Sequence, residues 1–144
     1  MPTASYVKVT SANEDLIEAI NAGTDQWAIA LSTSAPASKT FTSGTTDLAT
    51  GGGYTAGGTN VTTTSAGMNG SDFVLVLADP SVWTATGGGF TFRYALLVNK
   101  TVLQGAQGTV VGYWDYGSAQ AVLAGETVTV DLDQTATVGT FKVS

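Results

Sequence analysis

Carboxylates are the first place to look for chemistry in this chain. Its 144 residues include no histidine and no cysteine. That removes the commonest general base, the thiol nucleophile and the usual transition-metal ligands. Two carboxylates are enough for glycoside hydrolysis, which makes each acid a candidate. Asp131 and Asp133 stand on the same outward side of one predicted strand and read as a solvated strand end. A calcium ion there would need several more oxygen ligands, and no Asp-rich loop supplies them. Asp72 and Asp79 bracket an apolar run and cap its ends. Asp115, between Trp114 and Tyr116, is the acid of most interest, because a carboxyl beside aromatic rings can have a raised pKa. No second carboxylate accompanies it. These residue types predict no catalytic site, no metal and no cofactor, and hence no enzyme.

Two further constellations invite a functional reading. Gly51-Gly-Gly-Tyr-Thr-Ala-Gly-Gly58 is glycine-rich, but no lysine follows it and no helix starts after it, so it is not a phosphate loop. It needs positive φ or close backbone approach. Tyr54 in its middle is either a latch onto the protein's own body or an anchor into a neighbour. Trp27, Trp83 and Trp114 could form a sugar-stacking platform. Trp27 and Trp114 fall within strands and read as core, whereas Trp83 follows a proline turn.

Composition narrows the partners. Charged residues are 11% of the chain, against roughly 25% in typical soluble domains. Threonine, serine and glycine take their place. A surface poor in charge is easier to dehydrate, which favours packing against other chains. The net charge is −6. Four lysines and one arginine, spread from Lys8 to Lys142, make no basic patch for nucleic acid. No apolar run reaches the length of a membrane span. The opening Met-Pro-Thr-Ala-Ser lacks the basic and apolar regions of a signal peptide. The expectation is a protein that folds in the cytoplasm where it is made.

The elements that must position these residues are mostly strands. Phe90 to Asn99 organises the rest: Phe90, Phe92, Tyr94, Leu96 and Val98 share one face at strand period, with Arg93 on the other. Arg93 is predicted exposed, paired across the sheet, or in contact with a neighbouring subunit. Further strands are read at 5–10, 26–32, 59–65, 72–78, 110–116, 126–132 and 137–143. Gly117-Ser118 is expected to end the 110–116 strand, and Gly139 to form a bulge. Residues 72–78 are apolar on both faces, which suits the middle of a sheet. Ser11-Ala-Asn-Glu14 has capping-box spacing, and Leu16, Ile17 and Ile20 form a stripe ending at Gly23. This predicts one short helix lying on the sheet. Residues 33–50 form a long connection pinned by Phe41 and Leu48. Together they predict an all-β fold: one domain over 1–144, a β-sandwich or jelly-roll-like barrel of about eight strands with a short N-terminal helix.

Several motifs also resemble a known family. They are Ile29-Ala-Leu-Ser-Thr-Ser-Ala-Pro36, Gly53-Tyr-Thr-Ala-Gly-Gly58 and Leu75-Val-Leu-Ala-Asp-Pro80, then Phe92-Arg-Tyr-Ala-Leu-Leu-Val-Asn99, Gly112-Tyr-Trp-Asp-Tyr-Gly117 and Leu123-Ala-Gly-Glu-Thr-Val-Thr-Val-Asp131. In this order they resemble small virion structural proteins of tailed bacteriophages. Val98 departs from the pattern, which usually has tyrosine before the asparagine. The resemblance implies a non-enzymatic virion protein. The reading adopted is a capsid decoration (cement) protein on the outer shell. Its expected partners are the major capsid protein, other virion proteins and further copies of itself. A tail or head fibre module binding a host receptor or glycan is the alternative. The expected contact residues are the apolar side chains of the irregular segments, Phe41, Leu48, Tyr54 and Trp83, together with Arg93.

Overall fold

Period-two alternation and short turns build nearly everything in the computed structural model, which describes residues 3–12, 19–103 and 107–143. The strands are β1 (Tyr6–Lys8), β2 (Trp27–Ser32), β3 (Thr59–Val61), β4 (Thr63–Asn69), β5 (Asp72–Leu77), β6 (Trp83–Thr84), β7 (Phe90–Asn99), β8 (Thr109–Val122), β9 (Thr127–Val128) and β10 (Phe141–Val143). They form an antiparallel five-stranded sheet in the order β1-β8-β7-β2-β3, a three-stranded sheet β10-β5-β4 and the pair β6-β9. The fold is all-β and consistent with a sandwich.

The core explains the layering. Trp27, Ile29 and Leu31 of β2 face inward, as their spacing predicts, against Leu75 and Leu77 of β5, Phe141 of β10 and Trp83 and Val128 of β6 and β9. The apolar β5 is the central strand of its sheet. A second, smaller cluster lies on the other face of the five-stranded sheet, where Phe41 packs with Val9, Ala12, Ala30, Leu96, Val98 and Val110. The long connection 33–50 thus reaches this outer cluster through Phe41 and the inner core through Leu48. The run 59–65, read as one edge strand, divides at Thr62 between two sheets, and each piece is an edge.

Three expectations need correction. First, β7 does not keep one face. Phe92, Ala95 and Leu97 enter the inner core, while Tyr94, Leu96 and Val98 turn to the outer cluster. The switch sits at Arg93: Phe92 pairs Gln120 and Tyr94 pairs Asp115, so Arg93 alone opposes the stretch 116–119 of β8. Such a bulge changes which face the following residues occupy. Second, β8 does not end at Gly117-Ser118. Gly117, at φ 84°, carries the bulge and the strand continues to Val122. The short helix expected after Ser11 falls largely on residues 13–18, which lie outside the described residues; no α-helix occurs among those described. A single 3-10 turn spans Thr10–Ala12, and the chain turns again at 22–24. Ser11 Oγ accepts a hydrogen bond from the Lys39 amide (3.0 Å). Glu14, Leu16 and Ile17 lie outside the described residues, so the capping box and most of the stripe cannot be placed. Third, at the chain's end the strand is shorter than expected, Val138 and Val143 are exposed, and Gly139 makes a turn at φ 64° rather than a bulge.

Candidate functional site

The glycine-rich stretch and the long connection meet at one buried carboxylate. Asp47 accepts the Tyr54 hydroxyl (2.6 Å) on Oδ2, the Gly57 amide (2.7 Å) on the same oxygen, and the Gly44 amide (2.6 Å) on Oδ1. The Tyr54 oxygen in turn accepts the Leu31 amide of β2 (3.0 Å). Tyr54 is 1% exposed and Asp47 6%. Burial, and then the bond to Asp47, push the Tyr54 phenol well above its ordinary value. The glycines serve the same closure. At Gly53 (φ 98°) a Cβ would overlap the Thr84 carbonyl, and at Gly58 (φ 72°) the Ile29 carbonyl. Tyr54 is therefore a latch onto the chain's own body. Its ring continues an aromatic row, stacking on Trp83 at 6.4 Å and tilting against Phe90 at 6.1 Å.

This placement corrects the expected contact surface. Phe41, Tyr54 and Trp83 are buried within the chain itself, and Leu48 is half-buried against the inner core. Trp83 belongs to β6, paired with β9, while the segments of Phe41 and Tyr54 have only isolated bridges, so their apolar side chains help fasten them down. Arg93 is part-exposed, with 38% of its side chain accessible. Its Nε and Nη2 donate to the two Asp115 oxygens at 2.7 and 3.0 Å, and its guanidinium lies 5.2 Å from the Tyr94 ring centroid. The Arg93 bond, then the Gly117 amide, hold the Asp115 carboxyl below its usual range. Asp115 is thus an ion-pair partner rather than a raised-pKa acid.

An open groove of about 610 Å³ runs beside β1 and β8. Tyr6, Trp114 and Tyr116 supply its aromatic side, and Asp131, Asp133 and Val138 the other. Tyr6 sits over Gly112, where any Cβ would overlap the phenol ring, and packs on Trp114 at 5.3 Å. Sequence reasoning named the two aspartates and Trp114 but did not bring them together, and it treated Tyr6 only as a strand residue. It missed Asp47 altogether. The available signal was one acid within the otherwise uncharged run 40–58. Asp133 already accepts the Thr135 amide and hydroxyl, at 2.9 and 2.7 Å, and these bonds lower its pKa. No cluster of three or more acidic metal ligands occurs among the described residues. The groove thus offers ring faces and anionic acceptors. A comparison with known protein families, with curated protein sequences and with solved structures finds no match.

Proposed function

We propose that this chain is a structural protein of a tailed-bacteriophage virion, and specifically a capsid decoration protein that bridges capsomers on the outer shell. The ordered series of motifs supports the virion reading. The observation that carries the decoration role is the inward latching of the loops: Tyr54, Asp47 and the backbone-packed glycines make the Gly51–Gly58 surface rigid before any partner arrives. A preformed surface loses little conformational entropy on docking. Low charge keeps its desolvation modest, and a symmetric shell multiplies weak contacts into avidity. The test is to add purified protein to shells lacking it. Saturable binding with raised shell stability, and on the order of hundreds of copies in virions as shell symmetry requires, is the expected result. A dozen or fewer copies, or no binding to shells, would refute the decoration role.

The groove favours a second reading, a fibre module that holds a neutral glycan. Tyr6, Trp114 and Tyr116 offer ring faces for stacking, and Asp131 and Asp133 offer acceptors for hydroxyl groups. Quenching of tryptophan fluorescence by host-surface glycans, lost in Trp114→Ala, would support it.

A further inference from the structure

Four strands form the outer edges of the two larger sheets. Three of them are short: β1, β3 and β10 have three residues each. Two of those three carry a lysine, Lys8 and Lys142. Such brevity and charge are the usual devices that stop an edge from pairing with another chain. The fourth edge, β4, has neither. It runs seven residues, Thr63-Thr-Ser-Ala-Gly-Met-Asn69, without charge or proline, and Thr64 to Asn69 are all exposed. Its one irregularity is a shift in pairing with β5 between Thr63 and Ser65. The regular stretch is therefore 65–69, with Gly67 at its midpoint. Its outward row of amides and carbonyls has no strand partner among the described residues.

We propose that β4 is the self-association edge of this protein, pairing antiparallel with β4 of a second copy about a two-fold axis at Gly67. The result would be a continuous sheet in the order β10-β5-β4, then β4-β5-β10 of the second copy. A second copy is the occupant because the stretch is complementary to itself. Gly67 faces Gly67, Ala66 faces Met68 and Ser65 faces Asn69, so no charge meets a like charge. That matters for a chain of net charge −6, whose copies repel except where their contact is uncharged. Asp72, opposite Asn69 in the β4–β5 ladder, is itself paired with Lys142 at 3.4 Å. The pairing rests on this edge alone and stands apart from the virion reading.

The chain has no cysteine, which permits a clean register test. Opposed residues of an antiparallel pair lie about 4.5–5.5 Å apart at Cα, within the range a disulfide spans. A Cβ at Gly67 meets nothing within 4 Å and the residue has no positive φ, so a side chain fits there in the free protein. Purified Gly67→Cys should oxidise to a covalent dimer. Asn69→Cys should not, because the two copies of residue 69 would be about 14 Å apart. Light scattering should give the unmodified protein twice its 14.6 kDa chain mass, and Gly67→Lys a folded monomer with the circular dichroism spectrum of the unmodified protein. A monomeric unmodified protein would overturn the proposal. So would a dimer that survives Gly67→Lys, or equal crosslinking at positions 67 and 69.

Discussion

Asp47 and Asp115 do the same chemical task in opposite surroundings. Each carboxylate gathers three donors where the chain leaves regular sheet geometry. Asp47 takes a phenol and two amides, and is 6% exposed. Asp115 takes the two guanidinium nitrogens of Arg93 and the Gly117 amide, with about a third of its side chain in water (35%). Formal charge would rank the Arg93 pair as the stronger. Burial reverses the order. Losing Asp47 strands the buried Tyr54 hydroxyl, whereas a group stranded at Asp115 is resolvated at once. The latch is therefore structural capital of the fold, and the surface pair only shapes a bulge.

The sharpest way to break this contrast is Gly58→Ala. The residue sits at φ 72°, and the added carbon would lie 2.8 Å from the Ala30 Cα as well as overlapping the Ile29 carbonyl. Loss of more than about 4 kcal/mol, or failure to fold, is expected in denaturant titration. Asp47→Ala comes next. It strands the Tyr54 hydroxyl and two amides, and should cost about 3 kcal/mol. Tyr54→Phe should cost about 2 kcal/mol, since it leaves the buried Leu31 amide without its acceptor. A double-mutant cycle on Tyr54 and Asp47 should show coupling of about 1 kcal/mol or more.

The same latch predicts a dependence on alkaline pH. Burial raises the Tyr54 and Tyr6 phenols above their ordinary value of 10.0. The folded protein then keeps protons that the unfolded chain releases. The stabilisation is full below pH 10 and is lost as pH rises toward the folded values. Thermal midpoints should fall above pH 10, and Tyr54→Phe should flatten that fall. The smallest effect is expected at the surface pair. The Asp115 carboxyl is lowered, so its contribution is present above the ordinary value of 3.8 and disappears as pH drops through the folded one. Arg93→Ala should leave the unfolding midpoint unchanged at neutral pH and physiological salt.

Much of the sheet was legible because burial writes itself at period two. The alternation of Trp27, Ile29 and Leu31, and the two-sided apolar run of β5, predict both position and facing. Val128, Val130 and Leu132 are buried as their spacing requires, although only Thr127–Val128 joins a ladder. The face switch in β7 was not legible from β7 itself. It depends on the extra residues 116–119 that β8 places opposite Arg93, and bulges arise from pairing rather than from one strand's composition. The loop residues failed for a related reason. Apolar character alone does not say whether a side chain fastens its own loop or a neighbour's, and Tyr54 is decided by an acid seven residues upstream. The groove unites Tyr6 with residues from 114 to 140, a juxtaposition that the β1–β8 pairing creates.

Native-state hydrogen exchange of the isolated protein tests the central claim, that the loops are fastened from within, most directly. The amides of Leu31, Tyr54 and Gly57 are bonded inside the chain. They should exchange nearly as slowly as the ladder amides of β2, and Asp47→Ala should release the Gly57 amide by orders of magnitude. Fast exchange of Tyr54 and Gly57 in the free protein, with protection gained only in assembled particles, would contradict the account.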